Sequence, residues 1–280
     1  MPELPEVETV IKTLEKNIKN KKIVDVIVYY EKIIRNLSVS EFKKKLIGQS
    51  FREFYRRGKY LIFQLDDYIL VSHLRMEGKY NLMAVDSKHL KHEHIVFTLD
   101  NGKSLRYDDV RKFGTMDLFP KINLTELYKI EPLNRIAPDI YSVDFDQNFV
   151  IEKLNKTTKP IKSALLDQSI ISGVGNIYVD EVLFRSKIHP MSRSNTLYNN
   201  KLIEVIQNIK IVLDRAIALG GTTIKSFTSS HSISGRFQNE LLVHTKEVCP
   251  ICNAKLTKIK VGGRTSYVCL VCQKIIDKKE

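Results

Sequence analysis

Long apolar runs are missing from this sequence. The longest ones, such as Tyr68–Val71, fall far short of the roughly 18 residues that indicate a membrane-spanning helix. The N-terminus, Met-Pro-Glu-Leu-Pro-Glu, also lacks the basic patch and apolar stretch of a secretory signal. The sequence therefore lacks the usual features of membrane proteins and secreted proteins. We expect a cytoplasmic protein without a membrane partner.

Acidic residues are in deficit. The chain has 32 Asp and Glu residues against 45 Lys and Arg residues, a formal net charge of +13. An excess of this size indicates a polyanionic partner, and nucleic acid is the first candidate. A merely basic protein is the alternative, because charge by itself specifies neither a fold nor a reaction.

Cysteine is scarce, and its distribution is informative. The four cysteines all lie between Cys249 and Cys272, and disulfides are rare in the intracellular compartment expected here. They form a C-x2-C-x16-C-x2-C array, a spacing typical of a tetrahedral site with four thiolate ligands: Cys249, Cys252, Cys269 and Cys272. The array predicts one structural Zn²⁺, and four unliganded thiols are the alternative.

The N-terminal half alternates between helical and strand patterns. Apolar residues recur at helical spacing from Pro5 to about Lys19, and a second helix is expected around Ser40–Leu46. Between Ile23 and Phe119 the texture is that of strands: Ile23–Tyr30, Tyr60–Leu65, Tyr68–His73, Ile95–Leu99 and Thr115–Phe119. Asp100-Asn101-Gly102 between two such runs is a hairpin signal. We expect a β-sandwich-like domain.

Helical patterns dominate after Pro132 and Pro138. The longest helical pattern extends from Leu202 to Ala216, and we expect this helix to end at Gly220-Gly221. The segment Thr222–Gln238 has the composition of a long loop. The overall fold class is therefore α+β and multidomain. We expect an N-terminal domain over 1–131, a helical domain over 132–221, a loop and connector over 222–240, and a zinc-binding module over 241–280.

The segment between the cysteine pairs, Lys258–Tyr267, is basic and has glycines where a hairpin would turn. Such a ribbon, held in place by a metal, can contact phosphates or a DNA groove. Taken alone, a basic surface hairpin is more often an ordinary solvated face.

Four segments resemble the bacterial formamidopyrimidine-DNA glycosylase family. They are Pro2–Thr9; Arg57–Tyr60 followed by His73–Met76; Gly173–Glu181; and the cysteine array with Gly263-Arg264-Thr265. The resemblance implies a base-excision repair enzyme with glycosylase and abasic-site lyase activities, acting on oxidised purines in damaged duplex DNA. It also implies a helix-two-turn-helix domain, a zinc finger, and a monomer that needs no protein partner and associates with the nucleoid through DNA.

The resemblance also implies the catalytic residues. After removal of Met1, Pro2 would be the nucleophile, Glu3 would supply protons, and Lys59 would assist while contacting phosphate. An α-amino group titrates well below a lysine, so more of it is neutral near pH 7. Glu6, in the first helical turn, is a possible assistant. Composition alone favours an ordinary disordered terminus at this point.

DNA contacts are implied for His73, Met76, Arg111, Phe113, Asn176 and Arg264. Met76, Arg111 and Phe113 would fill the gap left by an extruded base, whereas core burial is the usual fate of Met and Phe. Asn176 follows a glycine turn and is expected to cap a helix beginning at Ile177, with or without a phosphate ligand.

Two rival functions remain open. An endonuclease-VIII-type enzyme keeps the N-terminal proline and glutamate but prefers oxidised pyrimidines. A zinc-finger protein without catalytic activity would bind duplex DNA and form no covalent complex. The Arg111 and Phe113 pair favours the purine enzyme over the first, and Pro2 with Glu3 argues against the second. The contacts of the Thr222–Gln238 loop with a lesion stay undefined.

Overall fold

The computed structural model describes residues 2–222, 227–228 and 235–276. The chain divides into two compact units, which we call the N-terminal unit (Met1–Ile130 with Gly220–Gly235) and the C-terminal unit (Glu131–Leu219 with Arg236–Glu280). Within the described ranges, no helix has the length and apolar character needed to cross a membrane.

Among its described residues, the N-terminal unit combines three α-helices with two sheets. The helices are α1 (Leu4–Ile18), α2 (Val39–Leu46) and α3 (Leu124–Leu127). The strands are β1 (Ile23–Val28), β2 (Glu53–Arg57), β3 (Tyr60–Gln64), β4 (Tyr68–His73), β5 (Lys79–Ala84), β6 (Glu93–Leu99), β7 (Lys103–Asp108), β8 (Thr115–Pro120) and β9 (Phe227–Thr228). One sheet has the order β2-β3-β4-β8 and the other β1-β6-β7-β5-β9. Both sheets and α1 bury apolar residues in one core, which confirms the predicted mixed, sandwich-like class.

Most predicted elements of this unit are confirmed. The first helix begins within one residue of its predicted start, and the Asp100-Asn101-Gly102 hairpin joins β6 to β7. β2 and β5 were not predicted, because their lysine, arginine and asparagine residues obscure the apolar alternation. They form strands because β3 and β7 pair with them, a tertiary effect that local propensity does not contain.

Part of the predicted Thr222–Gln238 loop has secondary structure, since a 3₁₀ helix over Phe237–Asn239 begins inside it. Phe227–Thr228 forms the short strand β9, which pairs in parallel with Tyr80 and Asn81 of β5. Residues 223–226 and 229–234 lie outside the described part of the chain.

The C-terminal unit is helical and ends in a hairpin. Its helices are α4 (Gln147–Lys156), α5 (Ile161–Leu165), α6 (Asn176–Arg185) and α7 (Asn199–Ala218), and its strands are β10 (Thr257–Val261) and β11 (Arg264–Val268). α7 buries the predicted apolar stripe and ends just before Gly220, as the sequence indicates. The buried carboxylate of Glu181 on α6 accepts hydrogen bonds from the backbone N–H groups of Leu242, Val243 and His244. These bonds attach the segment that leads into the cysteine array to α6.

Candidate active site and DNA-contacting residues

Pro2 and Glu3 are both buried immediately before α1. Glu3 is the N-cap residue of this helix, and its backbone N–H donates to Oε2 of Glu6 at 2.9 Å. Because a helix start is rigid and its free N–H groups favour carboxylates, this arrangement holds the residue next to Pro2 in a single geometry.

The second oxygen of Glu6 binds another segment of the same unit. Oε1 accepts hydrogen bonds from the backbone N–H of Thr222 at 2.8 Å and from its hydroxyl at 3.0 Å. Gly221 precedes Thr222 with φ +77°, and a Cβ atom there would lie 2.6 Å from Glu6 Oε1. Glu6 therefore joins the start of α1 to the chain that follows α7.

Lys59 is buried in the two-residue turn between β2 and β3. Gly58 begins the turn with φ +56°, which suits a tight hairpin whose first residue adopts left-handed backbone. Arg56 fixes this turn against α1, since its Nε contacts Glu8 Oε2 at 2.7 Å and its Nη1 donates to the Gly58 carbonyl at 2.9 Å. The helix that Glu3 caps and the turn that carries Lys59 are thus linked through one arginine.

His73 ends β4, opposite Tyr60 of β3. Burial, with smaller effects from the charges of Arg75 and Lys59, lowers the pKa of His73 to about 3. Its Nδ1 lies 2.8 Å from the backbone N–H of Arg75, which donates to it. A neutral ring that accepts at Nδ1 carries its proton on Nε2, so His73 presents an uncharged N–H donor.

Met76, Arg111 and Phe113 come together on the surface. Met76 is 45% exposed and Phe113 52% exposed, so core burial, the alternative for both, is wrong. The Arg111 guanidinium lies over the Phe113 ring, 4.7 Å from its centre, and its Nη1 is 2.8 Å from Met76 Sδ. Two loops far apart in sequence therefore present one guanidinium and two apolar side chains side by side.

Asn176 does not have the predicted capping role. Gly175, in extended conformation, is the N-cap residue of α6, and Asn176 is the first residue of the helix. Its side-chain amide instead donates to the Thr265 carbonyl at 3.1 Å, next to exposed Arg264 at the start of β11. The structure therefore brings Asn176 and Arg264, two of the predicted phosphate ligands, into one region of the C-terminal unit.

Two residues that were not predicted from the sequence support this region. Gln168 accepts the Gly173 N–H and donates to the Val174 carbonyl, which fixes the glycine turn before Asn176. Lys162, fully buried, donates to Asp180 Oδ1 at 2.7 Å and to the Thr265 carbonyl at 3.1 Å. No sequence signal distinguishes either from an ordinary surface residue.

The four cysteines lie together in the C-terminal unit. Their sulfur atoms all lie within 4.8 Å of one another, with 3.8 Å between Cys249 and Cys272 and 3.5 Å between Cys252 and Cys269. A tetrahedron with Zn–S bonds of about 2.3 Å has edges of about 3.8 Å, so one zinc ion fits. The predicted basic hairpin between the pairs is confirmed as β10 and β11, turning at Gly262-Gly263.

Comparisons with known proteins agree with this arrangement. Family models match three consecutive segments: the formamidopyrimidine-DNA glycosylase N-terminal domain over residues 1–116, the H2TH domain of the same glycosylases over 136–228, and a zinc finger found in FPG and IleRS over 246–275. These matches define the class of protein, a DNA glycosylase with a helix-two-turn-helix domain and a zinc finger.

Whole-chain similarity is equally extensive. Formamidopyrimidine-DNA glycosylase of Oceanobacillus iheyensis is 45% identical over 98% of this chain and 98% of that protein. Lactococcus lactis Fpg in complex with abasic-site DNA is 42% identical, with a TM-score of 0.89 over 98% of this chain and 100% of that one. A MutM structure with carbocyclic 8-oxo-G DNA is also 42% identical, with a TM-score of 0.87 over the same shares. The chain belongs to the formamidopyrimidine-DNA glycosylase family.

Proposed function

We propose that this protein removes oxidised purines, namely formamidopyrimidines and 8-oxoguanine, from duplex DNA and then cleaves the strand at the abasic site. The observation that carries the proposal is the position of Pro2 and Glu3, buried at the rigid start of α1 in a chain of this family. The related structures support the substrate class, because one contains abasic-site DNA and another an 8-oxo-G analogue.

The chemistry begins with the free amine of Pro2 once Met1 is removed. Its nitrogen attacks the anomeric carbon of the damaged nucleotide and the bond from that carbon to the base breaks. The amine gives up its N–H proton in this step, and the departing base takes up one proton. Glu3 protonates the sugar ring oxygen as the ring opens, which leaves a cationic iminium. This cation acidifies the hydrogen on the neighbouring C2′ carbon, and its removal expels the 3′ phosphate by β-elimination. Removal of a second sugar hydrogen, from C4′, then expels the 5′ phosphate by δ-elimination.

The remaining predicted residues hold the DNA. Lys59, His73, Asn176 and Arg264 contact phosphates, and Lys59 also assists the chemistry. Arg111 hydrogen-bonds the base left without a partner, while Phe113 and Met76 occupy the gap. The exposed cluster of these three side chains supports this assignment, because apolar side chains that are grouped on a surface, unlike single ones, are typical of binding sites.

We propose the domain boundaries given by the sequence: a catalytic domain over 1–131, a helix-two-turn-helix domain over 132–221, a lesion-covering loop and connector over 222–240, and the finger over 241–280. The four cysteines hold one structural zinc, and the protein acts as a monomer in the cytoplasm, bound to the nucleoid through DNA.

Borohydride reduction during turnover on 8-oxoguanine duplex tests the function. Peptide mapping of the trapped adduct should place the DNA on Pro2. A protein with an uncleaved N-terminal tag should bind DNA but give neither base release nor adduct, because an amide nitrogen is not nucleophilic. The same tag at the C-terminus is the control. An adduct at Lys59, or release of oxidised pyrimidines in preference to purines, would contradict the proposal.

A further inference from the structure

The side chain of Asp109 is fully buried directly after β7. Its Oδ1 accepts a hydrogen bond from the backbone N–H of Arg111 at 3.0 Å. Its Oδ2 accepts the backbone N–H groups of Phe113 and Gly114, each at 2.8 Å. A buried carboxylate is costly unless hydrogen bonds satisfy it, and these three come from the loop that carries Arg111 and Phe113.

Tyr107 connects this loop to the one that carries Met76. Its ring is fully buried, and its hydroxyl lies 3.5 Å from Asp109 Oδ2. A Cβ atom on Gly114 would lie 1.6 Å from that hydroxyl, and one on Gly78 would lie 2.4 Å from it. The hydroxyl therefore lies against both loops, and only glycine fits at either point.

The backbone of the loop between Asp109 and Gly114 is strained, and hydrogen bonds to Asp109 hold it in this conformation. Lys112 has φ +59°, a backbone conformation that costs a lysine free energy, and its N–H donates to the Asp109 carbonyl. The same carbonyl lies 2.7 Å from Nε2 of His94. Asp109 thus fixes the loop through its side chain and its backbone together.

We propose that Asp109 is a positioning residue for recognition of the base opposite the lesion. Its carboxylate, supported by the Tyr107 hydroxyl, holds the Arg111 guanidinium and the Phe113 ring beside Met76 before DNA binds. This inference rests on the proposed function, because it holds that the ordered loop serves to distinguish the base opposite the lesion. An arginine already held in its binding position loses less conformational entropy when it binds a base. Because the loop also prevents it from moving to hydrogen-bond a wrong base, the correct base is favoured.

Asp109→Asn is the test variant. The asparagine oxygen can accept N–H groups from one side only, and its NH2 group then faces a backbone donor. Asp108→Asn is the matched control, since it removes the same charge one residue away, where the carboxylate contacts Lys79 at 3.5 Å instead of the loop. Arg111→Ala is the reference variant, because it shows how large the effect is when recognition of the opposite base is lost completely.

Two measurements are made on the full-length proteins. The first is amide hydrogen exchange at Arg111, Phe113 and Gly114, which we expect to speed up about tenfold in Asp109→Asn, the effect of about one lost hydrogen bond. The second is the ratio of 8-oxoguanine release opposite cytosine to release opposite adenine. We expect the ratio to fall several-fold toward that of Arg111→Ala, with strand cleavage at a preformed abasic site within about twofold of wild type. Asp108→Asn should match wild type in both.

The outcomes separate the inference from the function on which it rests. The inference alone is overturned if the wild type is active and Asp109→Asn keeps either the wild-type cytosine-to-adenine ratio or the slow amide exchange. An equal loss on lesion and abasic substrates overturns it too, because that indicates general damage to the fold. A wild type that releases no oxidised purine overturns the proposed function and the inference with it. If Asp109→Asn does not fold, the same ratio is measured for Asp109→Ser, which has a smaller side chain with one acceptor.

Discussion

The backbone N–H of Glu3 donates to the Glu6 carboxylate, and the other oxygen of that carboxylate accepts the N–H of Thr222. The buried carboxylate of Glu6 therefore satisfies one donor that lies 3 residues before it in sequence and another that lies 216 residues after it. A change that displaces Thr222 is transmitted directly to the residue beside Pro2.

Replacing Gly221 with alanine should disturb this contact. The new methyl group would meet Glu6 Oε1 at 2.6 Å, in addition to the strain of a positive φ. We expect stability to fall by more than the roughly 1–2 kcal/mol of left-handed strain, and base excision to slow at least tenfold. Gly48→Ala is the matched control, because Gly48 has φ +90° and open space around it. Urea unfolding and single-turnover base release check both variants; equal effects would rule out a special role for the Glu6 contact.

His73 should make stability depend on pH. The unfolded chain takes up a proton at this residue near pH 6.5, whereas in the folded protein its pKa is about 3. Below pH 6.5 the unfolded state binds more protons, so this contribution to stability is lost as the pH falls toward 3, at up to about 1.4 kcal/mol per pH unit. His73→Gln should have a shallower decline between pH 7 and 4, measured by urea unfolding. Parallel curves would show that His73 titrates normally.

Replacing Cys269 with serine should remove the zinc site. A site with four thiolates and no open position contributes directly to the folding of its module. We expect loss of bound zinc by elemental analysis, loss of tight duplex binding, and an N-terminal unit that still unfolds cooperatively. Full zinc content with unchanged affinity would contradict the structural assignment.

Salt dependence should reveal the phosphate contact of Arg264. Its replacement by alanine removes one charge from the binding face, so the slope of log affinity against log salt should flatten by roughly one. Arg135→Ala, which removes an exposed arginine paired with Glu131, is the control. Titration of a labelled duplex over a range of salt concentrations gives both slopes, and identical slopes for Arg264→Ala and wild type would exclude the contact.

The sequence predicted the local features better than the long-range ones. The cysteine spacing alone defines a metal site, and apolar periodicity located α1 and α7. Pro2 and Glu3 were accessible only through resemblance, since composition favoured a disordered terminus. Asp109 and Lys162 were not predicted, because their importance lies in partners that the chain brings together by folding. Lys162, for example, reaches the Thr265 carbonyl across 103 residues.

The Thr265 carbonyl, shared by Lys162 and Asn176, has a consequence for metal supply. It joins the hairpin of β10 and β11, which lies between the cysteine pairs, to the start of α6, where Asn176 would contact a phosphate. Zinc and DNA would therefore favour the same arrangement of the C-terminal unit. Binding linkage is reciprocal: whatever factor zinc adds to the affinity for DNA, DNA adds to the affinity for zinc. When zinc becomes scarce, molecules away from DNA should give up their metal first, and those engaged on the duplex should keep it longest.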